Sequence, residues 1–116
     1  MNKLLHTPLT VHNVELANRL VMPPMATGKT PDGTVQDDLL AYYDARSKGG
    51  CIGLIVTEHA YISPEGKAHE GQLSVSRDTD IPGLTKLVET IHKNNTAVIA
   101  QINHAGSAAT EEITGC

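Results

Sequence analysis

A chain of 116 residues suits one small domain, or part of a larger one, and is too short for two packed domains. Hydrophobic residues at 40% against 19% charged allow a core, and with three Tyr but no Phe or Trp that core rests on Leu, Ile, Val and Ala. Nine basic and 13 acidic residues, with scattered signs and a net charge of −4, exclude a basic stripe or an aromatic platform for nucleic acid.

Residues 9–17 alternate apolar and polar on either side of His12-Asn13, which predicts a short β-hairpin. Arg19-Leu20-Val21-Met22 follows as a strand that Pro23-Pro24 stops, because proline cannot donate to a sheet ladder. The stretch from Met25 to Gly33 has the composition of a loop.

A helix is predicted from about Val35 to Lys48. Thr34 and Asp37 have capping-box spacing, Leu39, Tyr42 or Tyr43 and Arg46 recur at helical intervals, and Gly49-Gly50 supply the stop. The next run, Cys51 to Val56, is short and continuously apolar, as expected of a parallel strand covered on both faces. A loop of about 20 residues, Glu58 to Asp78, is expected after it, long enough to carry function. A second helix begins at Asp80 with Pro82 in its first turn and presents the stripe Leu84, Leu87, Val88 and Ile91 before Asn94-Asn95. Thr96 to Ile102 forms a third strand.

The order hairpin-β-α-β-α-β implies a parallel sheet, from either a doubly wound fold or part of a (β/α)8 barrel. A dinucleotide-binding doubly wound fold would place Gly-x-Gly-x-x-Gly after the first strand, where Pro23-Pro24-Met25-Ala26-Thr27 stands instead. A barrel needs about 250 residues, so three strands and two helices in 116 residues make under half of one, and the chain would then be a fragment. The longest apolar run is far short of the ~20 residues that cross a bilayer, and the N-terminus lacks a signal-peptide pattern. A cytoplasmic protein without a membrane partner is therefore expected. Cys51 and Cys116 make neither a disulfide framework nor a zinc site, and are read as reduced, buried or incidental thiols.

In parallel α/β folds, reactive groups gather where strands end. Three places qualify: Pro24 to Thr27, Thr57-Glu58-His59, and Gln101 to His104. No hydrolase triad, nucleophile elbow or His-Glu-x-x-His motif accompanies them. The amide of Gln101 offers a donor and an acceptor side by side, which suits either the edge of a flat heterocycle or a neighbouring loop. Glu58, at the end of a buried strand, is read as a partner for a nearby backbone amide or Arg, or as a carboxylate with a raised pKa. His6, His12, His69 and His92 are read as surface or hydrogen-bonded side chains, His104 as a residue that orders its loop, and Tyr42 and Tyr43 as core.

Four motifs taken together resemble the old yellow enzyme family of FMN-dependent oxidoreductases, particularly its NADH:flavin oxidoreductase and 2,4-dienoyl-CoA reductase members. They are Leu16-Ala17-Asn18-Arg19-Leu20-Val21-Met22-Pro23-Pro24-Met25; Tyr43 and Arg46 with Gly49-Gly50 and Gly53-Leu54-Ile55; Pro64-Glu65-Gly66; and Gln101-Ile102-Asn103-His104-Ala105-Gly106. The resemblance covers residues from about 8 to 107 and implies the N-terminal part of a (β/α)8 barrel whose bottom the hairpin closes and whose top carries FMN, with NAD(P)H as electron donor. It implies cofactor contacts from the backbone of Pro24, Met25 and Ala26, from His59 mainly through its main chain, and from the Gln101 amide.

Two positions depart from the pattern. Ala26 stands where many relatives have a Thr or Cys that touches the flavin, with Thr27 beside it as the substitute donor, and Ser107 stands where Arg usually follows. The resemblance places the substrate anchors, the proton donor and the phosphate loops further along such chains, so no catalytic residue and no metal ligand is assigned here. These 116 residues alone are expected neither to hold FMN tightly nor to turn over a substrate. The implied function is NAD(P)H-driven reduction of activated C=C bonds in a small molecule. The alternative is a non-catalytic partial barrel whose open strand edges pair with another copy.

Overall fold

The computed structural model describes residues 3–115. A 3-10 turn at Lys3–His6 leads into the hairpin of β1 (Leu9–Val11) and β2 (Val14–Leu16), paired antiparallel with Leu9 opposite Leu16 and His12 in the left-handed region at φ 52. Then come β3 (Val21–Met22), α1 (Asp37–Ser47), β4 (Leu54–Tyr61), β5 (Leu73–Ser74), α2 (Ile81–His92), β6 (Ala97–Asn103) and a short α3 (Glu111–Thr114).

The sheet is parallel and centred on β4. Leu54 pairs with both Val21 and Ala97, so β3 and β6 lie on opposite edges of β4. Ala60 likewise pairs with both Leu73 and Ile102, which puts β5 beyond β3 on the same edge. Both helices cover one face. Leu39 and Tyr43 from α1 and Leu87 and Ile91 from α2 close over Ile55, Ala60 and Leu73 in one buried cluster. The hairpin takes the other face at the starts of the strands, where Val11, Val14 and Leu16 meet Leu54, Ala97 and Ile99 around a cavity of about 170 Å³.

The motif residues have physical work in this arrangement. Asn18 donates through Nδ2 to the Gly50 carbonyl (3.0 Å) and accepts through Oδ1 from the Leu20 backbone N–H (2.9 Å), tying the approach to β3 to the turn after α1. Gly53 lies so close to the Asn18 backbone that a Cβ would overlap its carbonyl oxygen. Gly49 and Gly50 turn the chain at φ 93 and 71, a region that disfavours other residues.

Three expectations are corrected. Thr34 does not cap α1: the N-cap position is Gln36 without a side-chain cap, and the Thr34 hydroxyl donates to Asp32 Oδ1 at 2.6 Å. The second strand runs from Leu54 to Tyr61, not from Cys51 to Val56, and Cys51 is exposed. The run of about 20 loop residues is accordingly interrupted, because β4 extends to Tyr61 and Leu73–Ser74 returns to pair with it. Polar Thr57, Glu58 and His59 disguise the continuation of β4 as loop, although the first two are buried. Cys116 lies outside the described residues.

The ladder between β4 and β6 shifts between Val56 and His59. Val56 faces Ile99 and His59 faces Gln101, so Thr57 and Glu58 together oppose Ala100 in a β-bulge. Thr57 lines a cavity with Leu84 and Leu87 of α2 and Ala100 of β6, and Glu58 reaches Tyr43 of α1. Both side chains thus belong to the helix-covered layer.

Candidate functional site

The sequence-predicted residues converge at one rim. Pairing of Met22 with Ile55 carries Pro24, Met25 and Ala26 alongside the last half of β4, and His59 and Gln101 are register partners on β4 and β6. Ala100 lines the cavity against α2, Ala97 and Ile99 line the one beneath the hairpin, and Val98 borders both. Strand alternation then directs Gln101, like Ala97 and Ile99, to the face opposite the helices. His59, across from it, shares that face.

Gln101 is exposed and, among the described residues, its amide has no hydrogen-bond partner, which argues against its loop-tying role. Met25 is 53% exposed, and the segment Pro24 to Ala26 belongs to no regular element. An unengaged amide, facing an open backbone segment and an apolar thioether across the width of β4, fits the edge and face of a planar heterocycle such as a flavin.

Behind the rim lies a buried network. Glu58 is 1% exposed and its carboxylate accepts from Thr27 Oγ1 (2.9 Å to Oε1), from the Thr27 backbone N–H at 3.5 Å, and from the Tyr43 hydroxyl at 3.4 Å. The Tyr43 oxygen in turn accepts from the Glu58 backbone N–H at 2.8 Å. Burial pushes the Glu58 carboxyl above its ordinary range, opposed by the bonds from Thr27 and Tyr43. Tyr43 is raised too, chiefly by burial. The partner of Glu58 is therefore a hydroxyl-bearing loop and a tyrosine, with no Arg, and Tyr43 is both core and hydrogen-bonded.

This network corrects the expectation for Thr27. Its hydroxyl proton goes to Glu58, and its oxygen accepts from the Lys29 backbone N–H at 3.2 Å. It holds the loop to β4 and has no proton left to offer a cofactor in place of the residue missing at Ala26.

Two further contacts frame the rim. His59 Nε2 stands 2.9 Å from His69 Nε2, a pairing that sequence reading missed because ten positions in chain give no sign of it. The His104 ring packs on Gly66, and its Nδ1 accepts from the Gly106 backbone N–H (3.0 Å), so His104 orders the loop after β6. Ser107 lies in the 3-10 turn Gly106–Ala108 and is exposed. Among the described residues no cluster of three metal-ligating side chains occurs, and no helix is long and apolar enough to cross a membrane.

A parallel sheet with helices on one face, a hairpin plugging the other, and open polar groups where the strands finish define the opening part of a (β/α)8 barrel. The sequence profile of the NADH:flavin oxidoreductase / NADH oxidase family matches residues 4–115, and the chain belongs to that family. It is 40% identical over 106 residues to an NADH oxidase of Thermoanaerobacter brockii, covering 90% of this chain and 16% of the relative. It is 37% identical over 108 residues to an NADPH dehydrogenase of Geobacillus thermodenitrificans, covering 91% and 32%. Morphinone reductase in complex with tetrahydroNAD superposes with a TM-score of 0.87 at 28% identity, over 94% of this chain and 29% of that one. The chain thus spans a third or less of these proteins, and its fold is that of the N-terminal part of the old yellow enzyme barrel.

Proposed function

We propose that residues 1–116 contribute the first part of an FMN cradle to an NAD(P)H-dependent oxidoreductase that reduces activated C=C bonds in small molecules such as enones or enoyl thioesters. The observation that carries this reading is the free Gln101 amide, set beside His59 and across β4 from the Pro24–Ala26 segment at the C-terminal rim. FMN, when bound, supplies hydride transfer between a nicotinamide and an electron-poor carbon.

The chain's own residues bind and orient. Gln101 would pair with the pyrimidine edge of the ring through its adjacent donor and acceptor, at a position fixed by the β4–β6 ladder. The backbone of Pro24, Met25 and Ala26 would line the ring, its loop held by the Thr27–Glu58 bond. His59 would approach mainly through its main chain. None of these residues moves a proton in the reaction, and the acid that protonates the product belongs elsewhere in the enzyme.

The test is FMN affinity in the whole protein, measured by quenching of flavin fluorescence. Gln101→Leu keeps the size and removes both hydrogen-bonding groups, so it should weaken binding by about tenfold, the equivalent of ~1.4 kcal/mol for a paired polar edge. An unchanged affinity would remove Gln101 from the cradle and the reading with it.

A further inference from the structure

The β4–β5 connection, residues 62–72, leaves the rim and returns to it. Its flanks are tied at several points. The Gly66 carbonyl accepts from the Ala105 N–H (2.9 Å), the Gly71 carbonyl accepts from the Thr30 hydroxyl (2.7 Å), and Gln72 Nε2 donates to Asn103 Oδ1 (3.3 Å). Between those anchors, the side-chain tie from the connection to β4 is the contact between His69 and His59.

The proton positions in that contact follow from its neighbours. His69 Nδ1 lies 2.7 Å from the Glu70 carbonyl oxygen, which can only accept, so Nδ1 carries a hydrogen. In neutral His69 the other ring nitrogen is then a bare acceptor, and His59 Nε2–H donates into it. The ring centroids are 5.0 Å apart, 2.1 Å more than the 2.9 Å between nitrogens, so the rings meet nearly head-on. Metal chelation does not suit that geometry. An ion on the line between the nitrogens would need about twice a ~2.0–2.1 Å bond, well beyond the gap present.

We propose that His59 and His69 form a two-proton latch, which holds residues 67–70 against the rim and releases them when both imidazoles are charged. One proton leaves the bond in place, because His59 can take it on Nδ1 while Nε2–H still donates. The second proton has only the accepting nitrogen of His69 to occupy. Two N–H groups and two positive charges then face each other across the contact, and the tie becomes a repulsion. His59 is held below its ordinary pKa, first by burial and then by the charge of His69, which fits a site that resists the second proton.

The surrounding charges modulate the latch without replacing it. Glu58, behind β4, acts on His69 electrostatically. Lys67 and Glu70 in the connection pair with each other at 3.1 Å. Lys29 follows Gly28, the residue against which Gly71 packs, and His104 packs on Gly66 from the loop after β6. Because His59 is the register partner of Gln101, release would uncover the rim beside that amide. The latch depends on the two rings alone and stands whether or not the rim holds FMN.

Hydrogen exchange of the whole protein at pH 5 and pH 8, corrected for intrinsic rates, tests it. Protection of the Lys67 and Ala68 amides, which donate to the Pro64 carbonyl (3.2 Å) and to Gln72 Oε1 (2.7 Å), should fall about tenfold at the lower pH, as expected of a local opening. In His69→Gln, which keeps an acceptor that does not titrate in this range, the protection should no longer depend on pH. Equal protection of the native loop at both pH values, or an unchanged response in His69→Gln, would overturn the proposal. Nitrogen NMR of the unmodified protein gives a test free of variants. At pH 8 His69 should appear as the Nδ1–H tautomer, and finding it as Nε2–H would refute the arrangement.

Discussion

Tyr43→Phe isolates one hydroxyl in the buried network behind the rim. The ring is fully buried and Phe retains its packing, so only the oxygen is lost. That oxygen accepts from the Glu58 N–H at 2.8 Å and donates to the Glu58 carboxylate at 3.4 Å. Losing the first bond leaves a buried N–H without an acceptor, at ~1–3 kcal/mol, and the second is long enough to add little. The expected loss is therefore about 2 kcal/mol, which at a urea m-value of ~2 kcal/mol/M lowers the denaturation midpoint by about 1 M. Tyr42→Phe is the matched control. It keeps the ring that lies under the Arg46 guanidinium at 3.4 Å and, among the described residues, breaks no hydrogen bond of the hydroxyl, so its effect should stay within ~0.5 kcal/mol. Equal midpoints for the two variants would refute the claim that the Tyr43 hydroxyl satisfies the β4 bulge.

The other predictions concern the same carboxylate and the loops above it. Because the folded-state pKa of Glu58 is raised above 4.5, the folded protein binds the extra proton, and this group's contribution to stability is full below 4.5 and lost as pH rises through the folded value. Urea denaturation as a function of pH should show that decline in the native protein and its loss in Glu58→Gln; the same slope in both would assign it to another group. Gly66→Ala places a Cβ about 2.5 Å from His104 Cδ2, so His104 must move, at a cost of ~1–3 kcal/mol. Faster exchange of the Ala105 amide, which bonds the Gly66 carbonyl, would report it, and native protection at Ala105 would show that the contact is not tight.

Much of this architecture was legible because its determinants are local. The hairpin followed from alternation about His12-Asn13, α2 from the stripe ending in buried Leu87 and Ile91, and the parallel sheet from the succession of strands and helices, which the family resemblance narrowed to a barrel. The rim residues were legible because strand ends are chemically open and Gln101 is a conspicuous amide there. The rest depended on distant partners. The extension of β4 was hidden because Thr57 and Glu58 are polar yet buried, and a carboxylate with 1% exposure requires Thr27 and Tyr43, 31 and 15 positions away. Thr34 sat at capping spacing but found a better acceptor in Asp32 two residues before it. The His59–His69 contact depends on the path of a loop that local sequence does not specify.

The additional residue in β4 sets the phase of everything beyond it. Under strict alternation from Ile55, which lies in the helix-covered core, Glu58 would turn to the barrel interior and His59 would turn away from Gln101. Deleting Thr57 should therefore remove the bulge and leave Glu58 opposite Ala100 beneath the helices and His59 opposite Gln101 in the barrel mouth, now as successive residues of a regular strand. The surplus unit is thus a reserve of length: the rim keeps its facing when one peptide unit is lost from the bulge, whereas losing both Thr57 and Glu58 would set His59 opposite Ala100 and turn the imidazole away from an approaching ligand.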